Sequence, residues 1–192
     1  MPTNLNIEKL LEESGAFLQG HFLLTSGMHS PHYYEKFRLL ENPVYNEKVA
    51  EAIADRFRDK GIGVVASAAV GGILLAYEVA RHLGVRCIFA ERVHTELRFR
   101  RGFQVAENEK VLLVEDIVTT GGSVMELREL VAHYDGDVKG VGIIVDRSGG
   151  NFNPDVEWSA LYTAEVENYQ ADECPLCKNN VPLTTRGRSG KK

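Results

Sequence analysis

Two adjacent carboxylates followed at once by hydroxyls and glycines give residues 111–123, VLLVEDIVTTGGS, the clearest chemical character in this sequence. Its four apolar residues read as a buried strand that delivers Glu115 and Asp116 to the carboxyl edge of a sheet, where open α/β folds bind ligands. Thr119, Thr120, Gly121, Gly122 and Ser123 then form a turn opening a helix, and the amides, hydroxyls and positive dipole end of such a turn cradle a phosphate. The turn has no Walker lysine and no G-x-G-x-x-G, so neither a nucleoside triphosphatase nor a dinucleotide site fits. Carboxylates accept hydrogen bonds from vicinal hydroxyls, so acids beside a phosphate cradle suit a phosphoribose.

The elements that must hold this segment are legible around it. From residue 62 onward, short apolar runs (IGVVAS, VRCIFAE, VLLVED, VKGVGIIVD) alternate with helical segments (GGILLAYEVARHLG, GGSVMELRELVAHY). Runs apolar on both faces and separated by helices predict a parallel sheet covered on each side, a doubly wound α/β fold. Upstream, Asn6 caps a first helix with Leu10 and Leu11 on its apolar side and Gly15 as its stop. Asn42 and Pro43 start a second helix, with Val49, Ile53 and Phe57 at helical spacing and Gly61 closing it. HFLLTSGMHSPHYY lies between them as short strands and loops. The polar stretch 92–110 reads as a long functional or mobile loop.

Bulk properties set the class. A chain of 192 residues, 44% hydrophobic and 26% charged, fits one domain with small appendages. No window approaches the roughly eighteen apolar residues of a membrane span. The acidic, helical N-terminus lacks a secretory pattern, which predicts a cytoplasmic protein. A net charge of -5 argues against nucleic acid as the partner. Of the three cysteines, Cys87 sits in an apolar run and is read as core. Cys174 and Cys177, in CPLC, read as a structural tail motif; as a single pair they are at most half of a tetrahedral metal site.

Residues 111–123 resemble, over their whole length, the phosphoribosyl pyrophosphate (PRPP) segment of the type I phosphoribosyltransferases. Within that family, residues from about 20 to 183 resemble the orotate enzymes of the branch with a short catalytic loop. The resemblance implies that Glu115 and Asp116 hold the ribose hydroxyls and that residues 119–123 wrap the 5-phosphate. GHFLLTSGMHSPHYY resembles the hood segment, which places Thr25, Ser26, Tyr33 and Tyr34 at the base pocket, with Thr119 also facing orotate. A flat base bearing a carboxylate needs a ring and a cation, and Tyr33 or Tyr34 with Arg147 supply them. SAAVGGI resembles the pyrophosphate loop, assigning Ala69, Val70 and Gly71 to PRPP. HTELRFRRGF resembles the flexible catalytic loop in an arginine form. Because the K-x-x-x-H-G pattern of other members is missing, no catalytic lysine is transferred; Arg100 and Arg101, with Arg98 next, are the candidates beside Asp116.

The resemblance further implies transfer of the phosphoribosyl group of PRPP to orotate, Mg2+ carried mainly by PRPP with no side chain assigned as its direct ligand, and a homodimer sharing the flexible loop. A purine-type phosphoribosyltransferase or a PRPP-binding regulator without catalysis are the alternatives. The hood is expected from residues 1–40 and 155–183, with 184–192 a disordered tail.

Overall fold

In the computed structural model, residues 5–165 and 167–186 are described. The helix α1 (Ile7–Glu13) starts where Asn6 accepts a hydrogen bond from the Lys9 amide at 3.0 Å and buries Ile7, Leu10 and Leu11. A hairpin follows, β1 (Phe17–Leu23) and β2 (His29–Tyr34), then the short helix α2 (Lys36–Leu40) and the long helix α3 (Pro43–Phe57). Asn42 caps α3 through the Val44 amide, with Pro43 in the first turn where its missing N–H costs nothing.

Five parallel strands form the central sheet with an antiparallel sixth at one edge. They are β3 (Val64–Ala68), β4 (Arg86–Val93), β5 (Glu96–Phe99), β6 (Lys110–Val118), β7 (Asp137–Asp146) and β8 (Trp158–Thr163), in the order β5-β4-β3-β6-β7-β8. Two helices complete the crossovers, α4 (Gly72–Leu83) and α5 (Gly122–His133). The sheet is doubly wound because its strands are apolar on both faces. Val65, Leu112 and Val114 join one core with α1, α3 and α4, while Val64, Ala66, Val111 and Leu113 join the other with α5. Phe57 and Ile53 of α3 are 1% exposed; truncating an aromatic so buried costs about 3–5 kcal/mol.

The strand order reverses between β3 and β6, so the chain winds outward from this pair in both directions. Pairing of β3 with β6 stops at Ala66 and Leu113, while β6 continues along β7 as far as Val118. A crevice therefore opens beside the last residues of β6 at the switch point, where ligands bind in such sheets.

Three expectations need correction. Residues 92–110 are not one long loop: β4 continues to Val93 and turns back as β5, because Leu97 and Phe99 alternate with exposed Glu96 and Arg98 and pack into the core. Residues 158–163 pair with β7 rather than joining the hood, with Trp158 and Ala160 against one core and Leu161 and Tyr162 against the other at a sheet edge. Thr184 and Thr185 form β9, parallel to β1, in what reads from sequence as tail; residues 187–192 lie outside the described chain. The hood sheet thus has the order β2-β1-β9, with the helical turn α6 (Pro175–Lys178) beside it.

Candidate active site

The strand β6 does not end at its two acids. It runs through them, so that Glu115 and Asp116 point to opposite sides and line adjacent pockets. Glu115 shares a concavity with Ile117, Val118 and residues 119–124. Gly121 caps α5 at φ +78, and a Cβ there would lie 2.4 Å from Phe152 Cδ2; this turn needs glycine both for its backbone and for space. The amide of Gly122 donates to Thr120 Oγ1 at 3.5 Å, and Thr119, Thr120, Gly122 and Ser123 are exposed at the start of a twelve-residue helix. An anion at this turn meets exposed hydroxyls and the positive end of the helix dipole.

Asp116 faces the other way, buried at 1% exposure. Its Oδ1 accepts from the Ile117 amide at 2.6 Å, and its Oδ2 lies 2.6 Å from Lys36 Nζ, an ion pair without hydrogen-bond alignment. Lys36 went unrecognised in the sequence, although a lysine immediately after a candidate base-pocket strand was a usable signal. Gly71 closes over this pair: a Cβ there would come within 2.1 Å of Asp116 Oδ2 and 2.6 Å of Lys36 Nζ. The turn of residues 69–71 after β3, which includes a cis Ala69–Val70 peptide, is thereby pressed against β6 across the switch point.

Burial and the charge of Asp116 push the Glu115 carboxyl up to about 8. Beside Asp116 the wall is made by Tyr34, Lys36, Leu39, Ile117, Ile144 and Val145. The guanidinium of Arg147 sits 5.2 Å from the centre of the Tyr34 ring, anchored by its own amide donating to Val118 O at 2.8 Å. Burial lowers the Arg147 pKa, and its Nε is buried without a partner among the described residues. An anion beside Arg147 would answer both. Tyr34 is itself buried, with Tyr162 near it and its hydroxyl pKa raised, while Tyr33 lies half-buried against Phe22 at 5.5 Å between ring centres.

Other candidates line neither of these two pockets. Thr25 and Ser26 are exposed in the turn joining β1 and β2, where Ser26 Oγ accepts from the Met28 amide. Arg101 donates to both carboxylate oxygens of Glu91 at 2.7 and 3.3 Å, Arg100 lies 3.9 Å from the same carboxylate, and Arg98 pairs with Glu96 at 2.9 Å. All three arginines are exposed and folded onto their own hairpin rather than over the cradle. Exposed pairs of this kind are worth about 0–1 kcal/mol, so little holds them there.

The phosphoribosyl transferase domain family matches residues 38–172. The orotate phosphoribosyltransferase of Desulforamulus reducens is 46% identical over 186 residues, covering 95% of this chain and 97% of that one. That of Thermotoga maritima is 43% identical, covering 97% and 100%. Among solved structures, orotate phosphoribosyltransferase from Aeropyrum pernix superposes with a TM-score of 0.70 at 24% identity, covering 82% of this chain and 93% of that one. Adenine phosphoribosyltransferase from Saccharomyces cerevisiae reaches 0.63 at 17%, covering 80% and 99%, a likeness of fold. This chain belongs to the phosphoribosyltransferase family, in its orotate phosphoribosyltransferase branch.

Proposed function

We propose that the protein transfers the phosphoribosyl group of PRPP to orotate, giving orotidine 5′-monophosphate and pyrophosphate, a step of pyrimidine biosynthesis. The observation that carries this reading is a half-buried arginine over an aromatic ring, its buried Nε without a partner among the described residues, one strand away from a phosphate cradle. A purine lacks the carboxylate that Arg147 suits, which favours orotate over the adenine chemistry named for the yeast neighbour.

In this reading the hydroxyls and amides of residues 119–123 hold the 5-phosphate, Glu115 accepts hydrogen bonds from the ribose hydroxyls, and Asp116 joins it when its pair with Lys36 opens. The turn of Ala69, Val70 and Gly71 faces the pyrophosphate with the amides of Val70 and Gly71, since that of Ala69 donates to Ala90 O at 2.8 Å. Tyr33, Tyr34 and Thr25 flank the base, Thr119 reaches it, and Arg147 holds its carboxylate. The ring nitrogen of orotate supplies the electron pair for the new bond to the anomeric carbon, and the bond to pyrophosphate breaks with its electrons leaving on oxygen. No protein nucleophile is needed, so the side chains act by positioning and by electrostatics. Arg100 and Arg101, with Arg98, swing from Glu91 and Glu96 onto the leaving group and exclude water.

Glu115 and Asp116 are hard oxygen donors, so the pocket fits Mg2+ carried mainly by PRPP; when bound, the ion neutralises charge on the pyrophosphate. The exposure of the loop arginines supports a homodimer in which they serve a neighbouring site. No helix among the described residues is long and apolar enough to cross a membrane, and the free cysteines Cys87, Cys174 and Cys177 suit the cytoplasm. The test is orotate consumption, followed by absorbance, in the presence of PRPP and magnesium. Loss of orotate with matching pyrophosphate release is expected; consumption of adenine but not orotate, or binding of PRPP without turnover, would overturn the assignment.

A further inference from the structure

On the hood sheet, and sharing no residue with the cradle, four side chains of metal-ligating type converge. His21 lies in β1, His29 opens β2, and Cys174 and Cys177 flank and enter α6; their donor atoms all lie within 4.8 Å of one another. Cys174 Sγ is 3.6 Å from His21 Nε2, Cys177 Sγ is 3.7 Å from the same nitrogen and 3.3 Å from His29 Nδ1, and the two nitrogens are 2.9 Å apart. A tetrahedral ion with metal–nitrogen bonds of about 2.1 Å and metal–sulfur bonds of about 2.3 Å has nitrogen–sulfur edges of roughly 3.6 Å and a nitrogen–nitrogen edge of roughly 3.4 Å. The sulfur edges match that figure within a few tenths of an ångström. The histidine pair is closer, at the length of a hydrogen bond between imidazoles.

Orientation and burial point the same way. His21 Nδ1 lies 2.8 Å from Val181 O and can only donate to it, which leaves the Nε2 lone pair aimed at the cluster. A backbone carbonyl fixing the far ring nitrogen is the usual support of a metal-bound histidine. His21, His29 and Cys174 are 2%, 5% and 0% exposed while Cys177 is exposed, and a hydrogen bond between the two imidazoles would leave the buried Cys174 thiol with no strong partner. The C-x-x-C turn instead brings both sulfurs to His21 Nε2, and that of Cys177 also to His29 Nδ1.

We infer that His21, His29, Cys174 and Cys177 form a structural zinc site that fastens the C-terminal segment to the hood. Two thiolates and two imidazoles select zinc over the oxygen-seeking magnesium of the reaction, and four protein ligands leave no open position for catalysis. Binding displaces the two thiol protons to solvent. The site ties residues 153 apart in sequence, beside the backbone bridge in which the His29 and Tyr169 amides and carbonyls pair at 2.9 and 2.8 Å. His21 and His29 also bracket residues 22–28, so the ion fixes both ends of the turn carrying Thr25 and Ser26.

The test needs no substrate and is independent of the orotate assignment. Elemental analysis of the untagged full chain, purified under reducing conditions, is expected to give one zinc per chain, kept by Cys87→Ser and lost by Cys177→Ser and His29→Gln. Should those variants misfold, cobalt(II) added to the chelator-stripped wild-type chain keeps the matter decidable. Intense visible bands of tetrahedral cobalt with a sulfur charge-transfer band, saturating at one equivalent, are expected. Three reactive thiols in the denatured stripped chain together with only the weak bands of octahedral cobalt would overturn the proposal. So would a Cys174–Cys177 disulfide in freshly purified protein that contains no zinc.

Discussion

The phosphate cradle and the metal-ligand cluster on the hood are both small groups of polar side chains, yet they are assembled in opposite ways. The cradle and its acids come from residues 115–123, one strand, one turn and the first residues of one helix. The cluster takes His21 and His29 from a hairpin and its sulfurs from a turn near the other end of the chain. A contiguous site depends on local backbone geometry, so its side chains are free to be spent on ligand. A site closed over a long loop constrains the chain itself, and its return is stability. Changes at the cradle and its loop should therefore read out in catalysis, and changes at the cluster in folding.

The largest expected effect is on turnover. Arg101→Ala should lower kcat by about 100- to 1,000-fold if this cation stabilises the leaving pyrophosphate, as for loss of one preorganised electrostatic group. Its exposed pair with Glu91 is worth at most about 1 kcal/mol, so thermal denaturation should barely move. An unchanged kcat removes the loop from the mechanism. Next comes Arg147→Met, which keeps most of the packing on Tyr34 and deletes the charge. Losing a charge-assisted hydrogen bond of about 1.5–3 kcal/mol should cut kcat/KM for orotate by roughly 10- to 100-fold while calorimetric affinity for PRPP holds.

Gly121→Ala sharpens the comparison from the structural side. Forcing a side chain into φ +78 costs about 1–2 kcal/mol, and the overlap with Phe152 adds about 1–3 kcal/mol. Both a lower Tm and a raised KM for PRPP should follow; a normal KM would separate the turn from the phosphate. The smallest effect concerns pH. The Glu115 pKa is raised above its ordinary value, so its contribution to stability is fully present below about 4.5 and is lost as pH rises through about 8. Glu115→Gln should flatten that decline, and its stability relative to wild type should grow from pH 5 to 8 and then level off, as read by urea denaturation. Parallel pH profiles for the two proteins would refute the assigned cause.

The same contrast explains what sequence could reveal. The parallel core was legible because Val64, Val65, Leu112 and Leu113 come in unbroken apolar runs, and the cradle because its residues are consecutive. The edge strand β5 was missed, since Leu97 and Phe99 give only a short alternation inside a charged stretch. Lys36 and the histidines escaped for a different reason: their partners, Asp116 for the first and Cys174 and Cys177 for the others, are brought to them only by the fold. That the two acids face opposite pockets follows from strand pleating, but only once β6 is known to continue past them.

The most direct test of the central claim, that the end of β6 and the start of α5 grip a phosphoribosyl group, is calorimetric titration of the magnesium complex of PRPP into wild type and Asp116→Asn. Saturable binding by wild type, weakened about 10- to 100-fold by the amide, is the expected result. Equal affinities for the two proteins, or no binding by a folded wild-type chain, would contradict it.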